Sequence, residues 1–178
     1  HAVIIDSLLP TLQKTADLLD SDVRVICLTS EGHKGHPVGG FLYNQLRTPM
    51  DMFFGSWLRY GQSKLANVVY TKEVARRYPK MLAVSVHPGV VKTELVTNLT
   101  FVRRAFVYIS NFLMGTPFME PKQGSYSQLW ATGAGREQLV SGAYYTPVGV
   151  ETEVDATSNS GEVATKLWNW TQDTLKTI

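Results

Sequence analysis

The chain has 178 residues, of which 44% are hydrophobic and 18% charged, and its formal net charge is +2. This composition is that of an ordinary globular protein and excludes a disordered chain. The basic residues are interspersed, with no run longer than a pair such as Arg76-Arg77, so nucleic-acid binding is not predicted. The single cysteine, Cys27, excludes an internal disulfide and is expected to be a buried, inert thiol. No apolar run approaches the roughly 20 residues of a membrane-spanning helix, and no signal peptide is visible.

Helical and strand patterns alternate along the chain. In order, the sequence predicts a helix at 2–19, a strand at 23–28, a helix from about 54 to 77, a strand at 81–87, a helix at 121–130, a strand at 142–147 and a helix that starts after Ser158 or Ser160. Residues 31–50 are rich in Gly, His and Pro and are predicted to form a loop. Strands that alternate with helices predict right-handed crossovers and a parallel sheet covered by helices on both faces. The predicted fold class is therefore α/β.

The chain begins at His1 rather than at a methionine. Residues 1–5 already have the pattern of a helix interior, with no capping residue before them. Three parallel strands also make a small sheet. We therefore expect further residues upstream of His1 and interpret 1–178 as a single, partial domain.

A tyrosine and a lysine, Tyr60 and Lys64, lie four residues apart in the helix predicted at 54–77. This spacing puts them one turn apart on the same helix face, so that an ammonium lies near a phenol. A free tyrosine has a pKa of about 10 and a general acid or base works best near 7, a difference of roughly 4 kcal/mol. One cation about 4 Å away at an effective dielectric constant of about 20 supplies roughly that energy. The pair predicts acid–base chemistry, although its spacing alone also fits a half-exposed helical pair without a role.

Four motifs occur in a fixed order along the chain. They are Thr29-Ser30 followed by Glu31-Gly32-His33, the helical run YGQSKLAN from Tyr60 to Asn67, the strand end HPGVVKT from His87 to Thr93, and Gly142-Ala143-Tyr144-Tyr145. Together they resemble the C-terminal part of the short-chain dehydrogenase/reductase family. The form YGQSKLAN, with its long spacing from the serine, is similar to the retinol-dehydrogenase-like branch and to many fungal relatives. The resemblance implies a Rossmann-like parallel sheet with helices on both faces, of which this chain has only the C-terminal strands.

The resemblance implies a role for each matched residue. Tyr60 is expected to exchange a proton with the substrate oxygen, and Lys64 to hold the nicotinamide ribose and favour the ionised phenol. Ser30 is expected to position the substrate oxygen through a hydrogen bond, with Thr29 the less favoured donor. The residues expected to bind the cofactor together with Tyr60 and Lys64 are Pro88, Gly89, Val91 and Thr93.

The implied activity is the NAD(P)-dependent interconversion of an alcohol and an aldehyde or ketone, with NADP slightly favoured over NAD. The family's Gly-rich phosphate turn and the residue that selects NAD or NADP belong to its first half, and no G-x-G-x-x-G-like run occurs in this sequence. An alternative is therefore a truncated relative that acts as a dimerising binding or scaffold module, or with a repurposed pocket. The family dimerises through the helices that correspond to 2–19 and 54–77, so a homodimer is expected.

Residues 95–119 are apolar and aromatic. The resemblance implies a substrate loop or lid at about 94–120, over a small lipophilic alcohol, aldehyde or ketone. A structural helix pair and a segment that rests on a membrane surface are the alternatives. The expected location is accordingly intracellular, either cytoplasmic or at the membrane periphery.

Two smaller questions stay open in the sequence. Thr93 could cap a following helix instead of contacting the cofactor. His33 and His36 have a spacing found in metal sites, but no carboxylate or thiol cluster joins them. No metal site is predicted, and both histidines are expected to be loop residues.

Overall fold

The structure is a computed structural model, which describes residues 1–50, 55–92, 108 and 118–177. Within these residues, helices and strands occur at each of the places where the sequence predicts them, together with additional short strands. The helices are α1 (Ala2–Ala16), α2 (Gly55–Arg77), α3 (Pro121–Gly124), α4 (Tyr126–Gly133) and α5 (Gly161–Leu175). The strands are β1 (Arg24–Leu28), β2 (Leu82–Val86), β3 (Val90–Val91), β4 (Phe118–Met119), β5 (Tyr144–Thr146) and β6 (Val150–Glu151).

The main sheet has the strand order β1-β2-β5-β6. β1, β2 and β5 are parallel neighbours, which confirms the predicted α/β fold with a parallel sheet. Arg24 pairs with Leu82 and Leu28 with Val86, so the carboxyl ends of β1 and β2 lie side by side. β6 is antiparallel to β5, and β3 and β4 form a separate parallel pair. These last strands were not predicted from the sequence, because elements of two residues carry no recognisable period.

Helices cover both faces of the sheet. Successive side chains of a strand point to opposite faces, so Val25 and Cys27 of β1 pack against Leu65 and Val69 of α2, in a core that α1 and α5 also cover. Ile26 points to the other face, where α4 covers a second, smaller core. Burial raises the pKa of the Cys27 thiol. This arrangement fixes α2 directly on the strand that precedes Ser30.

Trp168 joins α5 to α2. Its ring is buried and stacks on the ring of Tyr70, with centroids 4.9 Å apart and an interplanar angle of 16°. The guanidinium of Arg77 lies 4.6 Å from the centroid of the same indole. Aromatic and cation–π contacts of this kind contribute about 0.5–1.5 kcal/mol each. The cluster therefore holds the C-terminal half of α2 against α5.

The element boundaries differ from the predicted ones at a few places. α1 ends at Ala16 rather than at Leu19, and it continues through Pro10. The helix predicted at 121–130 consists of two short helices, α3 and α4. Ser160 is the N-cap of α5, as one of the two alternatives predicted. No helix in the part of the chain that the structure describes is long and apolar enough to cross a membrane.

Arg24 ties β1 to the end of α4. Its side chain is largely buried, and its guanidinium donates hydrogen bonds to the carbonyl oxygens of Ala131 at 2.8 Å and Ala134 at 2.7 Å. The last carbonyl groups of a helix have no partner within the helix. Arg24 therefore satisfies backbone groups that the end of α4 would otherwise bury without a hydrogen bond.

We predict that Arg24→Met lowers the free energy of unfolding by about 2 kcal/mol, because hydrogen bonds to charged groups contribute roughly 1.5–3 kcal/mol. Urea unfolding at neutral pH measures the change. Lys176→Met is the control, since it removes only an exposed ion pair with Asp173, and we expect a change below about 0.5 kcal/mol. Equal losses in the two variants would show that the contacts of Arg24 with α4 are not stabilising.

Candidate active site

Ser30 follows β1 and is the N-cap of a 3₁₀ turn, Glu31–Gly35, within the predicted loop. Its hydroxyl oxygen accepts a hydrogen bond from the N–H of Gly32 at 3.1 Å. Its carbonyl oxygen accepts two more, from the N–H of His33 at 3.0 Å and from His33 Nδ1 at 2.9 Å. The serine is therefore held by its own turn at the carboxyl end of β1.

α2 passes close to this turn at two glycines. A Cβ at Gly61 would lie 2.6 Å from the carbonyl oxygen of Gly35, so only a residue without a side chain allows the approach. A Cβ at Gly32 would lie 2.5 Å from Tyr60 Cε1 and 3.4 Å from Ser30 Oγ. The edge of the Tyr60 ring and the Ser30 hydroxyl are thus both immediately beside Gly32.

Lys64 lies one turn after Tyr60, with its Nζ 5.7 Å from the centroid of the tyrosine ring. Burial lowers the pKa of the Lys64 ammonium. The buried Thr29 donates its hydroxyl to the Lys64 carbonyl at 2.8 Å, and Asn67 Nδ2 donates to the Leu28 carbonyl at 2.8 Å. These bonds fix this face of α2 to the end of β1. The structure therefore brings together the serine, tyrosine and lysine that the sequence singled out, while the hydroxyl of Thr29 is engaged by the backbone.

Pro88 and Gly89 follow β2, at the same edge of the sheet as Ser30. Gly89 has a φ of +85°, and a Cβ there would lie 2.6 Å from Met119 Sδ. The positive φ favours glycine. The absence of a side chain at Gly89 lets Met119 pack directly against the backbone at this edge of the sheet.

The remaining predicted cofactor residues are Val91 and Thr93. Val91 lies in β3 and packs against α3, where a Cβ at Gly124 would overlap Val91 Cγ2. Thr93 lies outside the described residues, as does most of the predicted lid at 94–120. Their roles stay predictions.

The serine turn (residues 30–35) has a contact with the sheet that was not predicted from the sequence. It joins Glu31 of the turn to Tyr144. Tyr144 of β5 is 2% exposed and donates its hydroxyl to Glu31 Oε1 at 2.8 Å. Glu31 also pairs with Lys34. The motif Gly-Ala-Tyr-Tyr places Tyr144 on a strand, but it gives no signal for a partner 113 residues away. Burial also lowers the pKa of nearby His87 to about 4, although the Glu31 carboxylate opposes this shift.

His33 and His36 both have protein partners. His33 Nδ1 bonds to Ser30, and His36 Nε2 lies 3.2 Å from Asp155 Oδ1. Among the residues that the structure describes, no group of three or more His, Cys, Asp and Glu side chains can hold a metal ion. Burial raises the pKa of Asp155, but hydrogen bonds from Ser158 and His36 outweigh it and lower the pKa to about 2.

A cavity of about 360 Å³ lies between α1, α2 and α5. Phe41, Tyr70 and Trp170 line it together with Arg59 and Ser63 of α2. The lining includes none of the three candidate catalytic side chains. The cavity is therefore distinct from the three candidate catalytic side chains, although Asn67 of α2 also lines it.

Comparison with known proteins gives relatives of one kind. A scan of the chain against models of protein families finds no match. The chain is 32% identical over 182 residues to a short-chain dehydrogenase/reductase of Armillaria gallica, covering 96% of this chain and 56% of that protein. It is 30% identical over 142 residues to human retinol dehydrogenase 11, covering 79% of this chain and 42% of that protein. The chain thus spans about half the length of these curated relatives.

Solved structures share the fold. An uncharacterised protein of Mycobacterium paratuberculosis superposes with a TM-score of 0.59 at 22% identity, covering 94% of this chain and 56% of that chain. The carbonyl reductase Sniffer of Drosophila melanogaster gives 0.51 at 19% identity, covering 86% and 52%. The sheet and its two helical layers are therefore those of a Rossmann-like α/β protein. With its curated relatives, this fold places the chain in the short-chain dehydrogenase/reductase family.

We predict that Gly61→Ala lowers the free energy of unfolding by about 1–3 kcal/mol, because the added methyl group overlaps backbone atoms rather than a movable side chain. Thermal unfolding measures the loss. Gly35→Ala is the matched control, since a Cβ there meets no atom within 4 Å. A Gly61→Ala variant as stable as Gly35→Ala would contradict the close approach of α2 to the serine turn.

A second prediction concerns the pH dependence of stability. The folded pKa of Asp155 lies below its ordinary value, so its carboxylate contributes stability above about pH 4, and this contribution is lost as the pH falls towards about 2. The side chain is 36% exposed, so solvent screening reduces the contribution to about 1 kcal/mol. Asp155→Asn keeps an oxygen for the backbone bonds and removes the titration.

Urea unfolding of Asp155→Asn at neutral pH and near pH 2 tests this expectation. The variant should be less stable than the wild type at neutral pH and equal to it at the acidic end. Asp173→Asn, at an exposed position, serves as the control and should match the wild type at both. A deficit of Asp155→Asn that does not change with pH would contradict the assignment.

Proposed function

We propose that the complete protein is an NAD(P)-dependent oxidoreductase that interconverts an alcohol and an aldehyde or ketone. The proposal rests on the meeting of Ser30, Tyr60 and Lys64 at the carboxyl end of β1, in a chain of this family. Ligands of open α/β sheets bind beyond the carboxyl ends of the strands. A relative named retinol dehydrogenase supports chemistry at an alcohol or a carbonyl group.

Each of the three side chains has a distinct task in the proposed reaction. In the reducing direction, the Tyr60 hydroxyl gives its proton to the carbonyl oxygen, and in the oxidising direction the phenolate takes it back. The Lys64 ammonium stabilises the phenolate in between. The Ser30 hydroxyl donates a hydrogen bond to the same substrate oxygen and stabilises the charge that develops there. A bound nicotinamide supplies or accepts the hydride at the carbon atom.

The residues present fit the nicotinamide end of such a cofactor. Lys64 is assigned to the ribose hydroxyls, because its half-buried ammonium lies beside Tyr60 at the strand ends. Pro88 and Gly89 follow β2 at the same edge of the sheet as Ser30, which supports a nicotinamide bordered by Pro88, Gly89 and Val91. Thr93 belongs to this set by sequence. NADP is proposed over NAD, and comparing titrations of the protein with NADPH and NADH decides between them.

An apolar substrate and a lid at 94–120 complete the proposal. The apolar and aromatic sequence of this segment supports both. The same composition supports the proposed peripheral contact with a membrane. Comparing kcat/KM for retinal, decanal and a short polar aldehyde tests the substrate class. A higher kcat/KM for the polar aldehyde would exclude the apolar substrate class.

A dimerising module is the second candidate function. Val3, Ile4 and Leu8 leave an apolar face of α1 exposed, and among the described strands β1 has a neighbour on one side only. Such an edge favours association. A stable dimer in sedimentation that binds neither NADPH nor NADH would favour this function. Binding of either nucleotide favours the oxidoreductase, for which a homodimer through α1 and α2 is also proposed.

We predict that Tyr60→Phe lowers kcat by about 10²–10⁴-fold, the usual contribution of a general acid or base. Binding of NADPH, followed by fluorescence titration, should change by less than about twofold, because the aromatic ring is kept and only the hydroxyl is removed. Tyr126→Phe, at an exposed tyrosine, is the control and should turn over like the wild type. Normal turnover by Tyr60→Phe would show that the proton comes from another group.

A further inference from the structure

Tyr144 supports the serine turn through two contacts. Its hydroxyl donates to Glu31 Oε1 at 2.8 Å. Its ring meets the ring of His33 edge-on, with centroids 5.1 Å apart. His33 is fully buried and in turn donates from Nδ1 to the Ser30 carbonyl oxygen at 2.9 Å. Tyr144 of β5 therefore contacts two residues of the turn, Glu31 and His33, and His33 is itself hydrogen-bonded to Ser30.

The bond between Tyr144 and Glu31 has a fixed direction. Burial raises the pKa of Glu31, but hydrogen bonds from Lys34 and Tyr144 outweigh it and lower the pKa, so the carboxylate is ionised and accepts. Burial and the Glu31 carboxylate both raise the pKa of Tyr144, so its hydroxyl stays a donor. A hydrogen bond to an ionised acceptor is roughly twice as strong as one between neutral groups. Tyr144 is also anchored, because it pairs with Ser85 of β2.

We propose that Tyr144 and Glu31 are positioning residues, which fix the Ser30 hydroxyl relative to Tyr60 through the turn that they hold. Glu31 follows Ser30 directly, and the next residue, Gly32, is the one beside which the Tyr60 ring lies. Movement of the turn therefore displaces the serine hydroxyl and the surface beside the phenol together. The inference rests on the proposed function. Since a misplacement of about 1 Å costs a large factor in rate, the effect falls on kcat rather than on binding.

Two neighbouring tyrosines provide a matched comparison. Tyr145 is as buried as Tyr144, at 2% exposure, but it packs in the second core, and its hydroxyl accepts from Val140 N–H at 2.8 Å. Tyr144→Phe and Tyr145→Phe thus each remove one buried hydroxyl, only one of which reaches the serine turn. In the full-length protein, assayed with NADPH and decanal, Tyr144→Phe should lower kcat about tenfold with KM changed less than about twofold. Tyr145→Phe should keep the wild-type kcat, and an equal loss in both variants would overturn the proposal.

Substitutions of Glu31 separate the hydrogen bond from general packing. Glu31→Gln keeps an oxygen that accepts from Tyr144 and should stay within about twofold of the wild-type kcat. Glu31→Ala should lose as much as Tyr144→Phe, and the double variant Glu31→Ala/Tyr144→Phe should lose no more than either, because both remove the same bond. A Glu31→Gln variant as slow as Glu31→Ala, or additive losses in the double variant, would overturn the proposal.

A readout without turnover separates this inference from the proposed function. Amide hydrogen exchange of Gly32 and His33, measured without cofactor or substrate, should be about tenfold faster in Tyr144→Phe and unchanged in Tyr145→Phe. If the wild type turns over with neither NADPH nor NADH, the proposed function fails, and the exchange experiment still decides whether Tyr144 holds the turn. Equal exchange rates in the two variants would overturn the inference even in an active enzyme.

Discussion

The candidate site depends on how closely α2 approaches the turn after β1. Two backbone segments touch where Gly61 meets Gly35, and this contact leaves no room for a side chain at the helix position. The neighbouring residue in the helix is Tyr60, which is thereby carried to within reach of Ser30. Where a helix packs against another segment of the chain, side chains normally separate the two backbones. Here Gly61 has no side chain, so the backbone of α2 contacts the turn after β1 directly, and this contact sets the distance between them.

The site has an outer and an inner part, which have different physical tasks. The outer part consists of the half-buried Ser30, Tyr60 and Lys64 at the ends of the strands. The inner part consists of the buried Tyr144 hydroxyl, a neutral donor, and the Glu31 carboxylate, an ionised acceptor whose side chain is 33% exposed. Such a bond is costly to break, because it would leave a buried polar group unpaired. The hydrogen bond between Tyr144 and Glu31 thus resists displacement of the turn that carries Ser30.

Three features could be predicted from the sequence: the fold class, the main strands and the grouping of the serine, tyrosine and lysine. They follow from apolar periods and short motifs. The contact of Tyr144 with Glu31 was not predictable, because it joins residues on separate elements and carries no local pattern. The antiparallel return of β6 was missed for a related reason, since Val150–Glu151 is too short to show a period. Helices and longer strands can be recognised from the spacing of residues in the sequence, whereas a hydrogen bond between distant polar residues cannot.

The packing of Trp168 has a consequence for observing this molecule in solution. Its buried indole contacts both the Tyr70 ring and the Arg77 guanidinium, at the junction of α5 with α2. Indole emission moves to longer wavelength when water reaches the ring, and a stacked cation changes its quantum yield. Detachment of the C-terminal helix from the helix that carries Tyr60 therefore has an intrinsic optical signal, and no external dye is needed to follow it.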